Sequence, residues 1–68
     1  MTDVKYPDAY VQLSGEDGNA FSIIGAVRAA IKDAGYGYKA AVDFSEEALE
    51  SPSYDDLLRL CMETVNVS

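Results

Sequence analysis

The sequence predicts an α+β fold: a small single domain in the order strand, helix, helix, helix, strand, with a short two-stranded sheet covered by the helices. Three observations predict it. Stretches that alternate in polarity or carry β-branched residues lie near the two ends, at 10–14 and 64–67. Apolar residues between them recur at helical spacing. Gly35 and the Ser51-Pro52-Ser53 stretch cut that helical region into three.

Tyr10-Val-Gln-Leu-Ser14 reads as the first strand, with Val11 and Leu13 inward and Pro7 marking the boundary before it. Residues 1–9 are expected to form a loose N-terminal segment of the single domain 1–68. Gly15 to Gly18 is a turn, and either Asp17 or Asn19 is placed to cap the helix that follows. That helix is expected from Asn19 to Ala34. Ala20, Ile23, Ile24, Val27, Ile31 and Ala34 form its apolar stripe, Lys32 sits in its last turn and Gly35 follows as C-cap. Gly25, Ala26, Ala29 and Ala30 make it narrow, so that another element could approach closely.

Gly35-Tyr-Gly-Tyr38 reads as a connector, and 39–50 as a weaker helix with Val42, Phe44, Ala48 and Leu49 apolar. Asp43 and Ser45 both look like N-caps for it. Ser53 with Asp56 three residues later fits a capping box for a third helix from Tyr54, with Tyr54, Leu57, Leu58, Cys61 and Met62 inward. Asp56, Arg59 and Glu63 are expected to face water. Thr64-Val-Asn-Val67 reads as a closing strand whose Val65 and Val67 pair with the strand of Val11 and Leu13. Two strands alone are marginal in water, so the helices must cover one face or a second copy must extend the sheet.

A 68-residue chain buries only about 60% of its unfolded surface, and its single cysteine provides no internal disulfide, so self-association is a reasonable expectation. The N-terminus carries no basic region followed by an apolar stretch, and the run 20–31 is broken by Ser22 and Arg28 and too short to span a bilayer. The expected location is the cytoplasm.

Twelve acidic against five basic side chains give a net charge of −7, which argues against direct binding to nucleic acid or to an anionic membrane surface. Six of the acids (Asp43, Glu46, Glu47, Glu50, Asp55, Asp56) lie between Ala40 and Leu58, a stretch with no lysine or arginine. A solvated face that keeps the chain soluble accounts for such a run. The sharper alternative is a surface that imitates a phosphate backbone and occupies a basic groove on a partner.

Little chemistry is available. The chain has no histidine, which removes the commonest general base and the usual Ser–His and Cys–His pairings. Cys61 lies on an apolar stripe, where a buried structural thiol is expected. The adjacent pairs Glu16-Asp17, Glu46-Glu47 and Asp55-Asp56 do not converge on a helix. Glu16, Asp17 and Asn19 could touch a cation but lack the spacing of a calcium loop. No catalytic residue, metal site or cofactor is therefore expected. Gly15-Glu-Asp-Gly18 matches neither phosphate-loop pattern and holds two acids, so a self-capped turn is favoured over an anion cradle. The alternative function uses Gly15, Asp17, Gly18 and Asn19 to bind a small ligand or nucleotide at a dimer interface.

Five tyrosines accompany only two phenylalanines. Tyr54 falls on the expected core stripe. Tyr36 and Tyr38, in the glycine-flanked connector, either present a binding surface or fold over the core and show only their hydroxyls.

The stretch Leu13-Ser-Gly-Glu-Asp-Gly-Asn-Ala-Phe21, followed by a helix of Ile, Val and Ala, resembles a group of short uncharacterised bacterial and phage proteins with a G-x-D-G-N-A-F turn. Tyr54-Asp-Asp-Leu-Leu58 and Met62-Glu-Thr-Val-Asn-Val67 look like that group's Y-D-x-L-L and M-x-x-V-x-V. Pro52-Ser53, where the group tends to carry Gly-Asp, and the Gly35–Tyr38 connector depart from it. The resemblance supports the element order, supplies no site, and implies an accessory or counter-defence role. The expected function is an acidic protein-binding module using Asp43, Glu46, Glu47, Glu50, Asp55, Asp56, Tyr36 and Tyr38 against a basic surface of a protein partner.

Overall fold

In the computed structural model, which describes residues 4–13 and 19–68, the expected order is present: β1 (Tyr10–Val11), α1 (Ala20–Asp33), α2 (Tyr38–Leu49), α3 (Tyr54–Thr64) and β2 (Asn66–Val67). The strands are parallel, with Tyr10 opposite Asn66 and Val11 opposite Val67. Parallel neighbours need a long crossover, and here the three helices provide it. Backbone bonds extend the ladder beyond the strands, from Asn66 N to Ala9 O, Ser68 N to Val11 O and Leu13 N to Ser68 O. The radius of gyration, 10.8 Å, is what about 68 residues give in one compact body.

α1 is the central element, packed against α2, β1 and α3. Its stripe falls as the spacing predicts: Ile23, Ile24, Val27 and Ile31 are buried, and Ala20 and Ala34 pack at the edge. Each such aliphatic side chain contributes about 1.5–3 kcal/mol on burial, so this face anchors the core. Both ends of α1 are closed by local chemistry. Asn19 Oδ1 accepts the Phe21 backbone N–H at 2.8 Å. At the other end Gly35 takes φ 94°. The Gly35 N–H then bonds Lys32 O and the Tyr36 N–H bonds Ile31 O, the paired bonds of a left-handed helix stop. Gly25 on this helix is exposed, and a Cβ added there meets nothing within 4 Å, so the narrow stretch admits no close neighbour at that point.

Several expectations give way to tertiary packing. α2 begins at Tyr38, with Gly37 as N-cap at φ 92°, and neither Asp43 nor Ser45 caps it. Both lie inside the helix, where Ser45 Oγ donates to the carbonyl of Ala41 one turn back. The buried residues of α2 are Ala41, Phe44 and Ala48; Val42 is half-buried and Leu49 is 64% exposed. On α3 the buried face is Leu57, Cys61 and Thr64, with Leu58 and Leu60 half-buried. Tyr54 and Met62, expected inward, are exposed. Thr64 takes a core place because its hydroxyl donates to Leu60 O at 2.6 Å, which removes the penalty of burying it.

The segment expected to be loose is held in place wherever it is described. Lys5 N and Tyr6 N donate to the carbonyls of Glu63 and Thr64, and Ala9 is buried. The Asn66 side-chain amide donates to Pro7 O and Ala9 O. These partners stand almost sixty positions away, so no local pattern reveals them.

Candidate protein-binding surface

Asp43, Glu46, Glu47 and Glu50 stand at i, i+3, i+4 and i+7 on α2 and its C-cap, and all are exposed. That spacing lays them along one helix face, turned away from Ala41, Phe44 and Ala48. Glu46 and Glu47 in the last turn and Glu50 at the C-cap crowd the end of α2, whose last turn has no basic residue. Negative charge there opposes the helix dipole, and the i, i+4 pairs Asp43–Glu47 and Glu46–Glu50 repel each other. Among the described residues, none of the four carboxylates is joined to a lysine or arginine.

Asp55 and Asp56 have a different standing. Both lie in the first turn of α3, where the dipole favours acids. Ser53 Oγ accepts the Asp56 N–H at 3.2 Å and donates to Asp56 Oδ2 at 3.0 Å, so Asp56 belongs to the helix cap. Folding accounts for this pair; it does not account for the acids of α2.

The structure does not bring the two connector tyrosines to the acid face. Tyr36 is half-buried, its ring centroid 4.7 Å from that of Tyr6 and its hydroxyl bonded to Asp8. Tyr38 is 69% exposed but lies roughly 140° around α2 from Asp43, on another flank. Sequence reasoning missed the exposed apolar residues Phe21 and Leu49, which together with Tyr54 line a groove where α1, α2 and α3 meet. Phe21 lies off the regular stripe of α1, and that irregularity was the available signal.

Of the alternative ligand loop, Gly15, Asp17 and Gly18 lie outside the described residues, and Asn19 serves as the cap of α1. Cys61 is fully buried, and desolvation pushes its thiol up from 9.0 to about 11. Among the described residues no three of His, Cys, Asp and Glu are grouped to hold a metal ion, and no helix is long and apolar enough to cross a membrane. Compared with models of protein families, with curated proteins and with solved structures, the chain matches none.

Proposed function

We propose that this protein is a small binding module, and not an enzyme, that applies its acidic α2 face to a basic surface of a partner protein. One observation carries the reading: three exposed acids, Glu46 and Glu47 in the last turn of α2 and Glu50 at its C-cap, stand where they weaken the helix that bears them. Charge spread only for solubility has no reason to gather where the dipole disfavours it. The partner's lysines and arginines would relieve both the dipole conflict and the repulsion along the face. Blocking of a basic groove is the mechanism that fits, and the sequence likeness to short bacterial and phage proteins is in keeping with an accessory role of that kind.

The test is affinity capture from a lysate of the encoding organism, washed at about 0.1 M and then about 0.5 M salt, which separates exposed-charge contacts from apolar ones. A stoichiometric partner that is retained at the lower salt and lost by the folded variant Glu46→Lys/Glu47→Lys/Glu50→Lys is the expected result. Equal capture by that variant overturns the reading.

A further inference from the structure

Phe21, Leu49 and Tyr54 are 75%, 64% and 42% exposed, and all three line one open groove of about 320 Å³ whose floor includes Ile24, Ala48 and Leu57. The groove draws on the start of α1, the end of α2 and the start of α3. Three large apolar side chains left in water at one junction of a 68-residue chain are a surface to be covered. An open trough of this size would leave a small molecule largely exposed, whereas protein partners bury anchor side chains in such places.

Among the described residues no charged side chain lines the groove, and the charged residues next in sequence to its lining on the α2 and α3 sides are acidic: Glu50, Asp55 and Asp56, with Glu47 lining a separate pocket beside Lys5. Glu46 stands one turn before Leu49 on the adjoining face of α2, and the half-buried Arg28 stands one turn after Ile24 on the α1 side. From this apolar floor and the acids beside it on α2 and α3 we infer that the groove docks a basic amphipathic helix of the partner, its apolar residues on Phe21, Leu49 and Tyr54 and its lysines or arginines toward Glu46, Glu50 and Asp55. A helix with anchors at i, i+3, i+4 and i+7 has the matching pattern. A second copy of this chain is a poorer occupant, because each copy carries a net charge of −7 and self-docking would bring these acids together. The inference rests on the acidic-surface reading and adds the site and shape of what binds.

The experiment uses two synthetic Leu/Lys peptides of identical composition, one amphipathic as a helix and one scrambled. Each is titrated into the whole protein by calorimetry and by amide chemical-shift mapping, beside sedimentation of the protein alone. The expected result is binding of the amphipathic peptide with shifts centred on Phe21, Leu49 and Tyr54. Affinity should fall about tenfold or more for the scrambled peptide and for Phe21→Ser/Leu49→Ser, since loss of interface anchors commonly has that effect. Both side chains are exposed in the free protein, so the variant keeps its core, and the wild-type shift map stands if it does not. Equal binding of both peptides, mapping along Asp43 to Glu50, overturns the groove while leaving the acidic surface standing. Binding of neither peptide overturns the groove, and capture from lysate then decides the acidic surface separately. A dimer that Phe21→Ser/Leu49→Ser dissociates overturns the basic helix in favour of a second copy.

Discussion

The Tyr36 hydroxyl donates to Asp8 Oδ2 at 3.3 Å and accepts the Asp8 backbone N–H at 3.4 Å, tying the connector after α1 to the N-terminal segment. Tyr36 is also the residue whose N–H closes the stop of α1 onto Ile31, and its ring packs on Tyr6. One side chain thus joins the end of the central helix to the segment beside β1. Tyr36→Phe removes only the hydroxyl bonds and should lower stability by about 0.5–1 kcal/mol. Tyr36→Ala also removes the ring contact and should lower it by about 2–3 kcal/mol, with faster amide exchange at residues 5–9. Urea titrations of the two variants check this; equal losses would mean that the ring contributes no packing.

Gly25 and Gly35 should answer the same substitution with opposite signs. Gly25 lies inside α1, exposed, with open space where a Cβ would go. Gly25→Ala relieves an entropic cost and should stabilise by about 0.5–1 kcal/mol. Gly35 has φ 94°, a conformation that L side chains rarely adopt. Gly35→Ala should destabilise by about 1–2 kcal/mol. Thermal melts of both variants settle it, and two shifts of the same sign would contradict this reading of α1.

What could be read from the sequence divides by the range of the interactions. α1 was legible because its stripe, its Asn19 cap and its Gly35 stop all lie within its own stretch, and Ser53 with Asp56 marked α3 for the same reason. The start of α2 was not, since Gly37 caps it without a side-chain bond while Asp43 and Ser45 offer cap-like chemistry further in. Thr64 hides in the core behind a hydroxyl bond to Leu60, which shifts the buried face of α3 away from Tyr54 and Met62. The acid face of α2 follows from spacing alone. The inward turn of Tyr36 toward Asp8 and the meeting of Phe21, Leu49 and Tyr54 are tertiary facts with no local signature.

The acids of α2 make a prediction about stability that is independent of any partner. Glu46→Lys/Glu47→Lys/Glu50→Lys replaces dipole-opposing charges by favourable ones and turns the Asp43–Glu47 repulsion into an attraction, while positions 46 and 50 stay like-charged. The triple variant should gain about 1–2 kcal/mol at low salt, a rise in Tm of roughly 4–8 °C for each kcal/mol. The gain should shrink in about 0.5 M salt. Better folding with lost capture is the signature of a surface kept for binding at the expense of the helix. A variant no more stable than the parent at low salt would remove the argument that these acids are misplaced for folding.

Cys61 reports on the core from within. The side chain is fully buried on α3, and burial raises its thiol from 9.0 to about 11. A thiol-specific reagent at pH 8 can therefore reach it only when the core opens, and its reaction should be slowed more than about 100-fold relative to the urea-unfolded chain. The same shift fixes a pH dependence. The unfolded thiol loses its proton near pH 9 while the folded one keeps it to about 11, so between these values the unfolded chain binds fewer protons and stability falls as pH rises. Below pH 9 the contribution of Cys61 is fully present and flat. Urea midpoints measured from pH 8 to 11 should decline for the parent, and the part of that decline due to this thiol should vanish in Cys61→Ala. Rapid labelling of the native chain at pH 8, together with an unchanged alkaline slope in Cys61→Ala, would place the thiol in contact with water and contradict the packing of α3 against the core.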